Sequence, residues 1–297
     1  MRELKNMRHI RLATALAMTA AMTVPVQAGN APAAAEEAEG PVTVLAQSAQ
    51  ADAPADIGPI CTDRPTKSNA ACTVPEGMVQ IETDLFFWTR TDLGPVRSDV
   101  LLYTNPTIKY GLGANTDIQV NIAPLVEVRN EVAGITTSQT GIGDLFVRLK
   151  QRLTGPDSKV QVALLPFVKV PTAERGIGNR EWEGGLLVPV QVPLGKATLT
   201  VVPQLNLLAD ALDPSDRHLE FQGVVNIAFP IADRFSLAAE LWTSQNWDPA
   251  GTVEQYSADA ALIYLLNDNL QLDIGGNFGL NQATPDLQVY VGVSTRF

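Results

Sequence analysis

The sequence predicts an all-β chain that closes into a transmembrane, antiparallel, up-and-down β-barrel of about twelve strands. Three observations point there. Beyond residue 77, apolar residues recur at every second position in run after run, the period of a strand with one face in an apolar medium and the other in water. The segments between these runs alternate long and short without a break in the order, as extracellular loops and periplasmic turns do in such barrels. The last run sets Leu287, Val289, Val291, Val293, Thr295 and Phe297 against Asp286, Gln288, Tyr290, Gly292, Ser294 and Arg296, and it ends on an aromatic residue.

The elements follow in chain order. Arg2, Lys5, Arg8 and Arg11 precede an apolar run over 12–24 and then Val26-Gln27-Ala28, the three parts of a secretory signal, so residues 1–28 are expected to be a signal peptide cleaved after Ala28. The apolar run is shorter than the roughly 20 residues of a bilayer-spanning helix and is followed by Pro25. Residues 29–59 are Ala, Pro and acids with few large apolar side chains, a composition that cannot offset chain entropy by burial, and are expected to be a disordered periplasmic leader. Residues 60–77 form a short N-terminal segment in which Cys61 and Cys72, in an exported chain, favour a small disulfide loop. The barrel is expected over 78–297.

Within it, Val79, Ile81, Thr83, Leu85 and Phe87 form the outward set of the first strand against Gln80, Glu82 and Asp84. Leu102, Thr104, Ile108 and Tyr110 oppose Tyr103, Asn105 and Lys109 on the second, and Ile118, Val120 and Ile122 oppose Asp117, Gln119 and Asn121 on the third. On the fourth, Leu145, Val147, Leu149 and Leu153 alternate with Asp144, Arg148, Lys150 and Arg152. Further runs lie at 160–170, 184–194, 199–208, 219–229, 235–244, 256–265, 270–280 and 287–297. Long connections are expected at 88–98, 129–142, 171–183, 209–217 and 245–255, and short turns between them. The outward set places Tyr110, Phe229, Phe235, Tyr264 and Phe297 at the periplasmic rim and Phe87, Phe221, Tyr256 and Phe278 at the outer one, as two aromatic girdles. A secreted β-sandwich also alternates, but it does not predict three inward bases on one strand together with the loop rhythm and the terminal Phe. That terminal strand resembles the signature of Gram-negative outer-membrane barrels, which implies that Phe297 is read by the barrel-assembly machinery.

Composition excludes several classes of function. With 32 acids, 21 bases and a net charge of −11, the chain has no basic footprint for nucleic acid. Two cysteines and two histidines lack zinc-ligand spacing, and no metal or cofactor is expected. Gly111-x-Gly113 and Gly141-x-Gly143 lack the third glycine of a dinucleotide loop. A hydrolase of the outer membrane would have to use His218, near Ser215, Asp216 and Glu220, but Leu219 and Glu220 follow it, unlike the Ser-Asn-Gly of twelve-stranded outer-membrane phospholipases; a histidine at a loop rim is the preferred reading.

The inner surface carries the more informative chemistry. Lys109, Arg148, Lys150, Arg152 and Lys169 lie on strands two, four and five, and Glu220, Glu240, Asp259 and Asp273 lie roughly opposite on strands eight to eleven. Two outcomes stay open: a transverse field that orients polar solutes along a pathway, or pairing of these groups that plugs the lumen. Trp182, Trp242 and Trp247 are placed in or near outer loops, where they stack an aromatic ligand or anchor the loops.

Thr62-Asp63-Arg64-Pro65, followed by Thr73-Val74-Pro75-Glu76-Gly77-Met78-Val79-Gln80-Ile81-Glu82-Thr83, resembles the opening of the family named for a meta-pathway of phenol degradation, and Gly141-Ile142-Gly143-Asp144-Leu145 is similar too. The resemblance covers essentially 60–297. It implies an outer-membrane barrel, transporter-like, with aromatic or other small hydrophobic compounds as cargo and no catalytic residues; the Cys61/Cys72 pair is not a general feature of the family. The expected function is therefore a passive, cofactor-free channel or transporter for small molecules, in contact with outer-membrane lipid. The alternatives are a hydrolase acting through His218 and a closed structural or adhesive barrel.

Overall fold

The computed structural model describes residues 57–155 and 157–297. The expected signal peptide and residues 29–56 of the leader lie outside the described residues. Sixteen strand segments follow in order: β1 (Val79–Asp92), β2 (Val96–Leu102), β3 (Thr107–Gly113), β4 (Thr116–Ile122), β5 (Val126–Val132), β6 (Ile135–Gly141), β7 (Leu145–Arg152), β8 (Gln161–Val170), β9 (Glu183–Leu187), β10 (Val190–Leu194), β11 (Ala197–Ala209), β12 (Arg217–Ala232), β13 (Phe235–Asn246), β14 (Val253–Asn267), β15 (Leu270–Gly279) and β16 (Leu287–Arg296). Every pairing between them is antiparallel, and β1 pairs β16 from Gln80↔Arg296 to Arg90↔Leu287, so the sheet closes on itself.

The sixteen segments make twelve barrel strands, because four strands are each broken in two: β2/β3, β4/β5, β6/β7 and β9/β10. Proline accounts for three of the breaks. Pro106, Pro124 and Pro189 sit at the interruptions and have no amide hydrogen to give the ladder. At the fourth, the chain turns in at Gly143, which donates to Ala123 O at 2.8 Å. Thr104 adopts a left-handed φ of 75° at the first break.

The wall is apolar outside and polar inside. Val201, Val225, Leu241 and Ile274 are exposed on the outer face, while their neighbours Thr200, Asn226, Glu240 and Asp273 are buried within. Such an arrangement is stable only where lipid bathes the outside, and a closed barrel satisfies every backbone donor there through its neighbours. The fold is thus an outer-membrane β-barrel, as the alternation implies.

Three local expectations are corrected. Residues 88–98 and 129–142 are not long loops: β1 and β2 continue to a tight turn at 93–95, and β5 and β6 continue to a turn at Ala133-Gly134, where φ is 51° and 83°. Sequence alternation fades there because β6 is exposed on both faces, so no apolar period marks it as strand. Phe87 does not face lipid. A bulge at Leu85 inserts one residue between Asp84 and Phe86, reversing the side on which later residues fall. Phe87 consequently points inward and stacks on Tyr290, with ring centroids 5.7 Å apart and planes 7° from parallel. Gly275 makes room for that tyrosine, since a Cβ there would lie 2.6 Å from Tyr290 Oη. Of the other girdle residues, Tyr110, Tyr256, Phe278 and Phe297 are exposed, and Phe235 stacks on Tyr264 at 4.4 Å.

Orientation of the wall is testable by charge. Val225 sits outward in the middle of β12, so Val225→Arg is expected to cost about 2–4 kcal/mol in denaturant unfolding from micelles. Leu212→Arg, in the exposed outer connection, is expected to stay within about 0.5 kcal/mol of the parent.

Candidate functional site: a charged lumen and its occupant

Residues 57–77, without regular secondary structure, run inside the barrel. A segment with no ladder of its own needs acceptors for its amides, and the inner wall supplies them as side chains. The amides of Asp63 and Arg64 donate to Glu82 Oε2 at 3.0 and 3.2 Å. Those of Lys67 and Ser68 donate to the two oxygens of Glu240, each at 3.0 Å. The Ala71 amide donates to Gln191 at 2.8 Å and the Val74 amide to Asp117 at 2.9 Å. At its start, Ile60 donates to Asp268 O at 2.7 Å and Gly58 O accepts from Arg296 at 2.7 Å. Cys61 and Cys72 are joined as a disulfide, as the sequence suggests, closing a loop within this segment.

The side chains of the segment sort by sign. Asp63 faces the basic wall, taking Lys109 Nζ at 2.5 Å and Lys150 Nζ at 2.6 Å. Arg64 faces the acidic wall: its Nε and Nη2 fork onto Asp273 at 3.2 and 2.6 Å, and Nη1 reaches Asp84 at 2.5 Å. Lys67 donates to Asp259 at 2.6 Å and to Ser257 at 2.9 Å, with its ammonium 5.0 Å from the centre of the Trp242 ring. Gly292 leaves the space that Arg64 fills; a Cβ there would overlap the guanidinium. Burial disfavours the charged form of Asp63, but Lys109 and Lys150 outweigh it and hold the carboxyl well below the usual carboxylate range.

The expected lumen residues therefore divide. Lys109, Lys150, Glu240, Asp259 and Asp273 are buried on the inner wall and meet the inserted segment rather than one another. Glu220 is also buried within but is satisfied by neutral donors, Asn206 and Ser244 at 2.6 Å each and Gln222 at 3.0 Å. Lys169 pairs Glu183 at 2.6 Å and Asn179 at 2.5 Å at the base of the 171–182 connection. Arg152 ties the periplasmic turn, donating to Asn115 Oδ1 at 2.6 and 3.0 Å. Arg148 lies over the Phe146 ring at 5.8 Å and has no carboxylate partner among the described residues.

His218 sits at the outer rim, as expected, but buried at the start of β12 and not in a loop. Its Nδ1 lies 2.7 Å from Asp210 and 3.7 Å from Asp248, bracing two outer connections, while Ser215 donates to Asp213 instead. Trp242 is likewise not in an outer loop: it points inward from β13 against an apolar cluster of Leu165, Leu187, Val202 and Val224, with Phe167 alongside. Trp182 and Trp247 are exposed near the outer ends, as expected.

Sequence reasoning missed Asp63, Arg64, Lys67, Glu82, Asp84 and Asp117 as members of the site. The signal was there: bases on one side of the ring and acids on the other need countercharges, and the mixed-charge segment shortly before the first strand reads Asp-Arg-Pro-Thr-Lys.

Fold and lumen together define an outer-membrane β-barrel with an internal plug. The family described as "Putative MetA-pathway of phenol degradation" matches residues 62–297, and the chain belongs to it. Its first matched residue is Thr62, so the match spans the plug's charged motif as well as the wall. No curated protein sequence matches the chain. Among solved structures, the fold is similar to an outer-membrane channel from Pseudomonas putida F1, at 14% identity and a TM-score of 0.61, covering 76% of this chain and 97% of that one. The NanC porin (10% identity, TM-score 0.48, 73% and 98% covered) and the translocator domain of the autotransporter NalP from Neisseria meningitidis (14%, 0.48, 75% and 90%) are more distantly similar.

Removing Arg64 strands Asp84 and Asp273 without a cation, a loss of about 3–5 kcal/mol for a broken buried pair. Arg64→Ala is expected to raise the undocked population of the segment by about 10²–10³-fold, read as tryptic cleavage after Lys67 that the parent resists. Acid acts on the other anchor. Because the Asp63 pKa is depressed on docking, its contribution is complete above the ordinary carboxylate pKa of about 4 and fades as pH falls below it. Hydrogen-exchange protection of the Ala70 amide, which donates to Asp63 at 2.8 Å, should drop between about pH 4 and pH 2. The Ala71 amide, held by neutral Gln191, should drop less.

Proposed function

We propose that the protein is a passive outer-membrane channel for small molecules, aromatic or hydrophobic compounds among them, whose conductance is set by the docked N-terminal segment. The observation that carries this reading is the nature of the obstruction. The lumen is occupied by a segment without regular structure, held by side-chain contacts, with cavities of about 280 Å³ and 200 Å³ beside it. A wall filled by its own side chains would offer no such removable element. Beside the plug's Lys67, the partly exposed Trp242 and Phe167 cover the packed cluster of Leu165, Leu187, Val202 and Val224 and bring apolar surface next to charged groups, which supports cargo of mixed character. Similarity to the Pseudomonas putida channel supports the barrel architecture this role needs. The exposure of Phe297, whose amide donates to Val79 O at 2.8 Å, supports its role as a signal read by the barrel-assembly machinery.

The density of ion pairs on the plug also favours a second reading, a permanently closed structural barrel. Planar-bilayer recording separates the two. The channel reading expects small or infrequent ohmic steps from the refolded parent and larger, more frequent ones from Asp84→Asn/Asp273→Asn, which loses the anchors of Arg64. Silence from both, with each confirmed as folded by heat-modifiable migration, would contradict it and leave the closed barrel.

A further inference from the structure

Arg148 stands apart from the other bases of the inner wall. Lys109 and Lys150 share Asp63 and Glu82 between them, and Lys169 has Glu183. The Arg148 guanidinium has no acceptor among the described residues, and its Nε is shut off from solvent without a partner. It lines the cavity of about 200 Å³ on the β3/β4/β7 side of the plug, together with Asn105, Thr107 and Asn121. At about 30 Å³ per water, that space holds six or seven water volumes, enough for a small organic anion.

We infer that this cavity is a binding site for a small organic monocarboxylate, held by the Arg148 guanidinium. Three features of the site select that chemistry. A planar guanidinium presents paired donors that match the two oxygens of a carboxylate, and a desolvated guanidinium is strongly favoured by such a partner. The two acids that share the cavity, Asp63 and Glu82, are already occupied: Asp63 by two lysines and the Ala70 amide, Glu82 by Lys109, Gln80 and two backbone amides. Apart from these charges the lining is small and polar, Thr66, Asn69, Asn105, Thr107 and Asn121, which suits a compact carboxylate. Gln119, the cross-strand partner of Arg148 on β4, has a free buried Oε1. A bond from Arg148 to that oxygen takes one of the five guanidinium hydrogens and leaves a pair for the ligand.

This inference rests on the channel reading for its biological meaning but not for its test. Titration calorimetry of the refolded protein uses benzoate, its neutral isostere benzamide, and acetate as probes, on the parent, Arg148→Gln and Arg148→Lys, each first shown to be folded by heat-modifiable migration. Saturable benzoate binding is expected in the parent, weakened about 10–100-fold in Arg148→Gln and less in Arg148→Lys, while benzamide responds to neither substitution. Acetate is expected to show the same dependence on Arg148. Equal benzoate affinity in the parent and Arg148→Gln, or no saturable benzoate binding in the folded parent, would overturn the site. Benzoate binding by a barrel that is silent in bilayers would keep the site and remove the channel; conductance without benzoate binding would do the reverse.

Discussion

The structure depends on neutralising a lumen whose two sides carry opposite charge. A barrel that turns its apolar face to lipid must turn its polar face inward, and here that face carries lysines on β3 and β7, with Asp117 on β4 between them, and carboxylates on β1, β12, β13, β14 and β15. These groups are too buried to remain unpaired, because an isolated charge in a poorly solvated space is expensive. The segment before the first strand meets the demand with three side chains of the needed signs. Asp63 goes to the lysines, and Arg64 and Lys67 go to the acids, so the polarity of the lumen itself orients the segment.

That arrangement makes the plug both specific and removable in principle. Replacing buried ion pairs by apolar packing is often as stable or more so, so ion pairs are a poor device for maximal stability. They are a good device for register, since a segment displaced by one residue puts like charges together. The disulfide between Cys61 and Cys72 encloses Asp63, Arg64 and Lys67, limiting how far the unfastened segment spreads and keeping the three charges near their partners. The family match, which begins at Thr62, takes in both the motif and the wall it meets.

Much of the wall was legible because the period of two is imposed by lipid on one side and water on the other. Strands over 197–297 carry uninterrupted alternation, and the structure reproduces them within a few residues. Legibility failed where the constraint lapses. β6 has solvent on both faces and so no alternation, and the Leu85 bulge shifts the phase without leaving any mark in residue type, which sent Phe87 to the wrong face. Trp242 is expected in or near an outer loop but takes an inward position of β13, which runs four residues past it to Asn246. The charged wall was readable, but its partner was not, because residues 57–77 have no period of their own and are ordered only by what surrounds them.

The central claim, that this segment lies inside the barrel in one register, is tested most directly by a cross-link in the intact outer membrane. Thr66 Oγ1 accepts from Asn226 Nδ2 at 3.2 Å, so the docked segment holds these two residues side by side on the inner wall. In Thr66→Cys/Asn226→Cys, mild oxidation should join the two positions nearly completely, with a loop-dependent shift in migration that reductant reverses, while Thr66→Cys paired with Leu205→Cys on the lipid face should not join. Failure of the first pair to close in a folded barrel would place the segment elsewhere and contradict the account.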